Sequence, residues 1–415
     1  MVGRVSGLRR TLGVTDAVVI GAGSMIGAGV FVAWSPAADA AGGGLLLGLV
    51  VAAVVALCNA TSSAQLVARY PESGGTYVYA RERLGPGWGH LAGWGFVVGK
   101  TASCSAMAQT VGAYAAPGHP RAVAVAVVVA VTAVNLGGLS RTVAVTKVLL
   151  AVTSTALVAV LVSGWAAGSF DLGRIDLVGT AGWPDQIGGV LRSAGILFFA
   201  FAGYARIATL GEEVRDPATT IPRAIPLALG AVLVLYLVVG ATTLAVLPAD
   251  VVASSDAPLR AVVEAGRWEM AAPVVRVGAV IASMGVLLNL VPGVSRTVLA
   301  MARRSEMPSA LADLRDARPI RAELTVAFTV VVVTLLVDLR DSIALSGVAV
   351  LVYYAITNAA ALRLGREERI WPRPVAVLGF VGCVVLAGSL PPRAVVTGSI
   401  LLLVGAGVRR IGSDR

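Results

Sequence analysis

Apolar runs of about 18 to 25 residues recur from one end of this 415-residue chain to the other, each long enough to cross a bilayer as a helix. The hydrocarbon core offers the backbone no water, so a chain entering it must satisfy its own N–H and C=O groups, as helices do. Only 13% of the residues are charged and 57% are hydrophobic. That is about half the charged share of a soluble domain. The fold class read from this pattern is an all-α polytopic membrane protein of about 12 transmembrane helices. They are expected near residues 14–36, 44–67, 88–115, 121–137, 144–165, 187–209, 224–247, 272–299, 323–338, 342–362, 374–390 and 393–409.

Basic residues concentrate in alternate loops. Arg9, Arg10, Arg81, Arg83, Arg215, Arg303, Arg304, Arg366 and Arg369 all fall on the N-terminal side, which puts both termini in the cytoplasm and the chain in the plasma membrane. The net charge of +10 is then a topology signal rather than a nucleic-acid footprint, and lipid is the expected surrounding. Met1 to Thr15 is short, polar and basic, so no cleaved leader is expected. Cys58, Cys104 and Cys383 lie inside apolar runs as packing residues, and two histidines with scattered acids make no metal cluster. No cofactor is called for.

The first run is anomalous. Gly21-Ala22-Gly23-Ser24-Met25-Ile26-Gly27-Ala28-Gly29-Val30-Phe31 sets four glycines in nine positions at mid-span, where each costs a helix about 1 kcal/mol relative to alanine. Glycines at Gly23 and Gly27 spacing can serve close helix packing. They also mark a span that unwinds to hold a ligand with its own backbone. The sixth run repeats the anomaly: Phe198-Phe199-Ala200-Phe201-Ala202-Gly203-Tyr204-Ala205-Arg206, followed by Glu212-Glu213-Val214-Arg215-Asp216-Pro217. If spans one to five (1–165) and six to ten (187–362) are inverted copies, with 374–415 appended, the two interrupted spans are equivalent.

Four segments in order carry a family resemblance: Gly21–Phe31; Tyr70-Pro71-Glu72-Ser73-Gly74-Gly75-Thr76-Tyr77 through Leu84-Gly85-Pro86; Phe198 to Ile225; and Ser295-Arg296 with Met301-Ala302-Arg303 and Met307-Pro308. Together they resemble the amino acid–polyamine–organocation superfamily of permeases. The resemblance implies a LeuT-like inverted 5+5 repeat with helices 1 and 6 broken. It also implies secondary transport of amino acids or related small amines by alternating access, with a proton or sodium ion as coupling partner, or exchange. Its backbone site falls on Ser24, Met25, Ile26, Gly27, Ala28 and Gly29, with Phe199, Ala202 and Gly203 supplying further carbonyls and an aromatic lid. Half-helix ends favour this independently, because N-termini attract anions and C-termini attract cations.

The departures from the family pattern are informative. An acid often follows the sixth-span glycine, but Ala205 and Arg206 stand there; Thr153 occupies the place of a fifth-span lysine. Lys100, deep in the third span, is the replacement of interest. An ionisable group at that depth is expensive unless paired or wet, so Lys100 is a candidate substrate contact, proton carrier or fixed counter-charge, with a structural salt bridge as the alternative. Arg206 could hold a carboxylate, gate the inner half-helix, or pair with Glu212 or Glu213. Glu72, Glu82, Glu212 and Glu213 are expected to serve as loop-to-helix contacts of the inner gate, with Arg81, Arg83 and Arg215 as their partners. Lys147 reads as snorkelling.

Rival readings come from other classes. Val18-Val19-Ile20-Gly21-Ala22-Gly23 with Asp39 beyond imitates a dinucleotide fingerprint, but the following membrane helix lacks the βαβ context. A channel and a non-transporting sensor or scaffold remain alternatives. The chain is not read as an enzyme.

Overall fold

The computed structural model describes residues 12–70, 74–137, 143–178, 183–204, 207, 214–266, 268–315 and 318–413. Those residues are helical almost throughout, without a β-strand. The chain runs α1 (Val14–Met25), α2 (Gly29–Val32), α3 (Trp34–Ala41), α4 (Leu45–Arg69), α5 (Thr76–Leu84), α6 (Pro86–Ala115), α7 (Pro120–Leu136), α8 (Val143–Trp165) and α9 (Trp183–Phe201). It continues through α10 (Pro217–Val246), α11 (Ala249–Ser254), α12 (Pro258–Ala265), α13 (Ala272–Arg303), α14 (Ile320–Leu336), α15 (Leu339–Leu362), α16 (Arg373–Ser389) and α17 (Pro392–Ser413).

Six of these stretches are long and apolar enough to cross a membrane, or seven if the sharply bent pair α16 and α17 counts as one span. The expected spans that miss this test do so for physical reasons. The first run is split, leaving α1 with 12 residues. Both α7 and α14 have only 17. In α6, Thr101, Ser103, Ser105, Gln109 and Thr110 are buried among other helices. A helix shielded from lipid by protein can carry such residues without facing hydrocarbon.

Helix lengths and neighbours repeat along the chain. Helices α4, α6, α7 and α8 have 25, 30, 17 and 23 residues; α10, α13, α14 and α15 have 30, 32, 17 and 24. Contacts follow the same correspondence: α1 packs on α10 as α9 packs on α4, α6 on α15 as α13 on α8, and α6 on α7 as α13 on α14. Small residues allow these approaches. A Cβ on Gly278 would overlap Ala156, bringing α13 against α8. Lipid entropy and van der Waals contact, rather than water expulsion, reward such packing. Large apolar side chains such as Phe328, Leu336, Leu403 and Val234 remain exposed on the outer helices, a surface suited to acyl chains.

Arginines tie off helix ends. At the end of the bundle away from Leu12, Arg276 donates to the Tyr114 and Ala115 carbonyls that end α6, at 3.0 and 2.7 Å. Arg174 donates to Val246 at the end of α10 at 2.8 Å. Cations are favoured there because the last carbonyls of a helix lack internal partners. The connection between α10 and α13 is itself partly helical, forming α11 and α12. Arg340, at the start of α15, donates to Ser35 on α3 at 2.9 Å and to the Ala253 carbonyl on α11.

Candidate functional site

The interruption of the first span lies at Ile26–Ala28. The Gly27 N–H turns back to the Met25 carbonyl at 2.7 Å instead of reaching four residues back. Helical geometry resumes from Ala28, whose carbonyl accepts from Phe31 at 2.9 Å and Val32 at 3.2 Å, and α2 passes into α3 through a helical Ala33. Among the described residues no backbone carbonyl accepts from the N–H groups of Ala28, Gly29 or Val30, and no group donates to the carbonyls of Ser24, Ile26 or Gly27. The break therefore presents unspent donors on one side and unspent acceptors on the other. The side chain of Ser24 is committed elsewhere, donating to the Ile20 carbonyl at 2.8 Å.

The second interruption faces the first. After Phe201, α9 tightens into a short 3-10 turn at Ala202–Tyr204. A Cβ on Gly203 would overlap the Ser24 carbonyl oxygen and stand 2.7 Å from the Met25 nitrogen. Just above, a Cβ on Gly29 would come within 2.6 Å of the Ala200 Cα. Two backbones can approach this closely only where glycine removes the side chain. Ala202 and Phe199 are buried beside the crossing, each 8% exposed. Phe198 and Phe201 make edge or tilted contacts with Tyr354 and Tyr236, whereas Phe199 enters no ring pair among the described residues.

Sequence reasoning missed the residue that joins the two interruptions. Tyr236 on α10 is wholly buried. Its hydroxyl donates to the Met25 carbonyl at 2.8 Å and lies 3.3 Å from the Ala200 carbonyl. Its ring is held edge-on by Trp34. The available signal was a single hydroxyl inside the apolar run Leu235-Tyr236-Leu237, since a buried tyrosine needs an acceptor.

Lys100 is buried on α6, with no hydrogen-bond or ion-pair partner among the described residues. Its helix neighbours set its surroundings: Phe96 stacks on Tyr353, and Ser103 shares a 2.7 Å hydrogen bond with Ser346, both on α15. Tyr114, on the same helix, donates to the Phe31 carbonyl at 2.8 Å. Among the described residues Lys100 makes no hydrogen bond or ion pair to either break. Arg206, Glu212 and Glu213 lie outside the described residues, as does Glu72.

At the Leu12 end the closing contacts differ from those expected. Arg81 pairs with Glu306 at 2.5 Å and Arg83 with Glu368 at 2.5 Å, and among the described residues Glu82 pairs with neither. The segment after α13 folds the Glu306 carboxylate inward to 8% exposure. There it also accepts from the Tyr77 hydroxyl at 2.8 Å. Burial would raise this carboxyl, but the polar groups of His90, Tyr77 and Arg81 that face it outweigh burial and hold the group below the ordinary carboxylate range. Lys147 meets Asp16 at 3.3 Å, largely exposed, in keeping with a residue at a membrane edge. The Leu12 carbonyl accepts from the Arg215 N–H at 2.9 Å, tying the entry of α1 to the entry of α10.

Glu306 gives an acid limit to this closure. Because its carboxyl is held low in the folded protein, its contribution is complete above the ordinary carboxylate range and is lost as pH falls through the lowered value. Amide exchange in α5 is expected to accelerate in that acid window. Unchanged protection there would show that Glu306 does not hold α5.

Apolar helices of this number, packed as one bundle, define an integral multi-pass membrane protein with unspent main-chain groups in its interior. The sequence model of the amino acid permease family matches residues 12–406. The chain belongs to that family, and is a transporter rather than an enzyme. It is 55% identical, over 98% of its length and 93% of the relative's, to an uncharacterized transporter of Mycobacterium tuberculosis. It is 26% identical to the branched-chain amino acid permease BcaP of Bacillus subtilis, over 96% of this chain and 92% of that one. Identity to cationic amino acid transporter 7, chloroplastic, of Arabidopsis thaliana is 28%, over 94% and 74%.

Proposed function

We propose that this protein is a secondary active transporter of amino acids, working by alternating access in the plasma membrane with both termini in the cytoplasm. The observation that carries the proposal is the break at Ile26–Ala28, with free N–H groups at Ala28–Val30 and free carbonyls at Ser24, Ile26 and Gly27. An α-amino acid matches that pattern. Its carboxylate meets the N-terminus of the α2–α3 half-helix, and its ammonium meets the carbonyls at the end of α1. Phe199, Ala202 and Gly203 complete the site from the facing span. The matched lengths and contacts of α4–α8 and α10–α15 support a LeuT-like inverted 5+5 repeat within about 12 spans.

A neutral side chain on the substrate is favoured. No Asp or Glu among the described residues bonds to either break, so a cationic side chain would have no counter-charge. The relatives' names include both branched-chain and cationic amino acids, which agrees on the substrate's main chain and leaves its side chain to the pocket. Uptake of a labelled amino-acid panel into proteoliposomes, with and without pH and sodium gradients, tests the reading. Saturable uptake of neutral amino acids supports it. Non-saturating flux would favour a channel, and binding without flux would favour a sensor.

Lys100 is the coupling candidate, since a buried amine with no ion partner can exchange its proton as the bundle opens. Lys100→Met is expected to abolish the pH dependence of uptake while sparing substrate exchange; a surviving pH response makes Lys100 structural. Tyr236→Phe keeps the ring against Trp34 and leaves the Met25 carbonyl without its donor. An unmet buried acceptor costs about 1–3 kcal/mol, so apparent affinity should fall about tenfold. Wild-type uptake kinetics in this variant would remove Tyr236 from the site.

A further inference from the structure

His90 sits five residues into α6 and is 1% exposed. Its Nε2 lies 2.8 Å from the Gly405 carbonyl on α17. A carbonyl oxygen can only accept, so Nε2 carries a proton. In a neutral imidazole the other nitrogen is then bare. That nitrogen, Nδ1, is buried without a hydrogen-bond partner and stands 3.6 Å from Oε2 of Glu306. A bare lone pair facing a carboxylate oxygen is unfavourable, whereas a proton placed between them makes a charge-assisted bond. The same carboxylate already receives Tyr77 through Oε2 and Arg81 through Oε1.

The charged and titratable groups around the imidazole can be named element by element. From α5 come Tyr77 and Arg81, the latter packed against Gly89. Beyond the end of α13 come Glu306 and Arg304, whose guanidinium lies over the Tyr77 ring. From α17 comes Arg409, whose Nη1 would lie 2.7 Å from a Cβ on Gly87. Glu306 is the one acid in this set, and Tyr77 and Arg81 are already bound to it.

We infer that His90 Nδ1 and the Glu306 carboxylate form a proton-binding site that fastens the closed Leu12 end of the bundle. A proton held there adds a third donor to Glu306 and links α6 and α17 to the α5–α13 contact. Its loss leaves Glu306 held by Tyr77 and Arg81 alone, so the end opens more readily when it faces a less acidic solution. The consequence for transport rests on the carrier reading above, but the site itself can be tested without substrate.

The chain has two histidines, and His119 is exposed in the turn before α7. His119→Gln therefore leaves one imidazole to observe. With the full-length protein in lipid nanodiscs, nitrogen NMR of labelled histidine at pH 6 should show both His90 nitrogens protonated, and Glu306→Gln should strip Nδ1 at the same pH. In parallel, intrinsic-rate-corrected amide exchange in α5 should slow about fivefold from pH 8 to pH 6, the factor for about 1 kcal/mol of ion pairing. His90→Gln should abolish that slowing. A bare Nδ1 at pH 6, an identical signal in Glu306→Gln, or an α5 response that persists without His90 would each overturn the inference. Absent amino-acid uptake with these signals intact would instead count against the carrier reading.

Discussion

Gly203→Ala should lower uptake by about tenfold to a hundredfold while leaving the protein folded in the membrane. The added methyl would overlap the Ser24 carbonyl and press on the Met25 nitrogen. Both are backbone atoms of the facing break and cannot rotate away as a side-chain tip would. Overpacking of this kind costs about 1–3 kcal/mol, about ten- to a hundredfold in a conformational equilibrium. Because the contact joins the two interrupted spans, the cost falls on the state in which they meet. Gly230→Ala on α10, where nothing lies within 4 Å, is the matched control and should transport normally. Equal rates in both variants would mean that the crossing of the spans plays no part in transport.

Glu306→Gln has the second largest expected effect. Removing the charge leaves Arg81 facing a neutral amide and weakens the bond from Tyr77. Breaking a buried pair from one side costs about 3–5 kcal/mol. With Arg81 at 28% exposure, the partly screened pair is worth about 2 kcal/mol, intermediate between buried and surface values. Amide exchange across Thr76–Leu84 should therefore accelerate by about thirtyfold. The helix would still be anchored at its start, where the Thr76 N–H donates to the Tyr353 hydroxyl at 3.2 Å, so protection should fall without vanishing. Exchange at the wild-type rate would show that α5 is held by that anchor alone.

The helices were legible in the sequence because bilayer thickness imposes their length, and the expected spans overlie α4, α6, α7, α13, α15, α16 and α17 closely. The interruption at Gly27 was legible too, since glycines at mid-span break the helix pattern without help from distant residues. What joins the pieces was not. Tyr236 and Met25 are 211 residues apart and Arg81 and Glu306 are 225 apart. No periodicity relates positions that meet only through packing. Local charge proximity suggested Glu82 as a partner for Arg81 and Arg83, yet acids beyond α13 and α15 pair with them. Lys100 stood out as an amine inside an apolar run, and it is buried; what surrounds it on α15 is a tertiary fact that the run itself does not carry. For Arg206, Glu212 and Glu213 the sequence reading stands as a proposal.

Binding by blocked analogues tests the main-chain grip on the substrate most directly. Thermal stabilisation of the purified protein should be produced by a neutral L-amino acid and lost with both its N-acetyl derivative and its methyl ester, because one cap removes the ammonium and the other the carboxylate. Stabilisation of equal size by either capped compound would contradict the account, since the half-helix end or the freed carbonyls would then have nothing to hold.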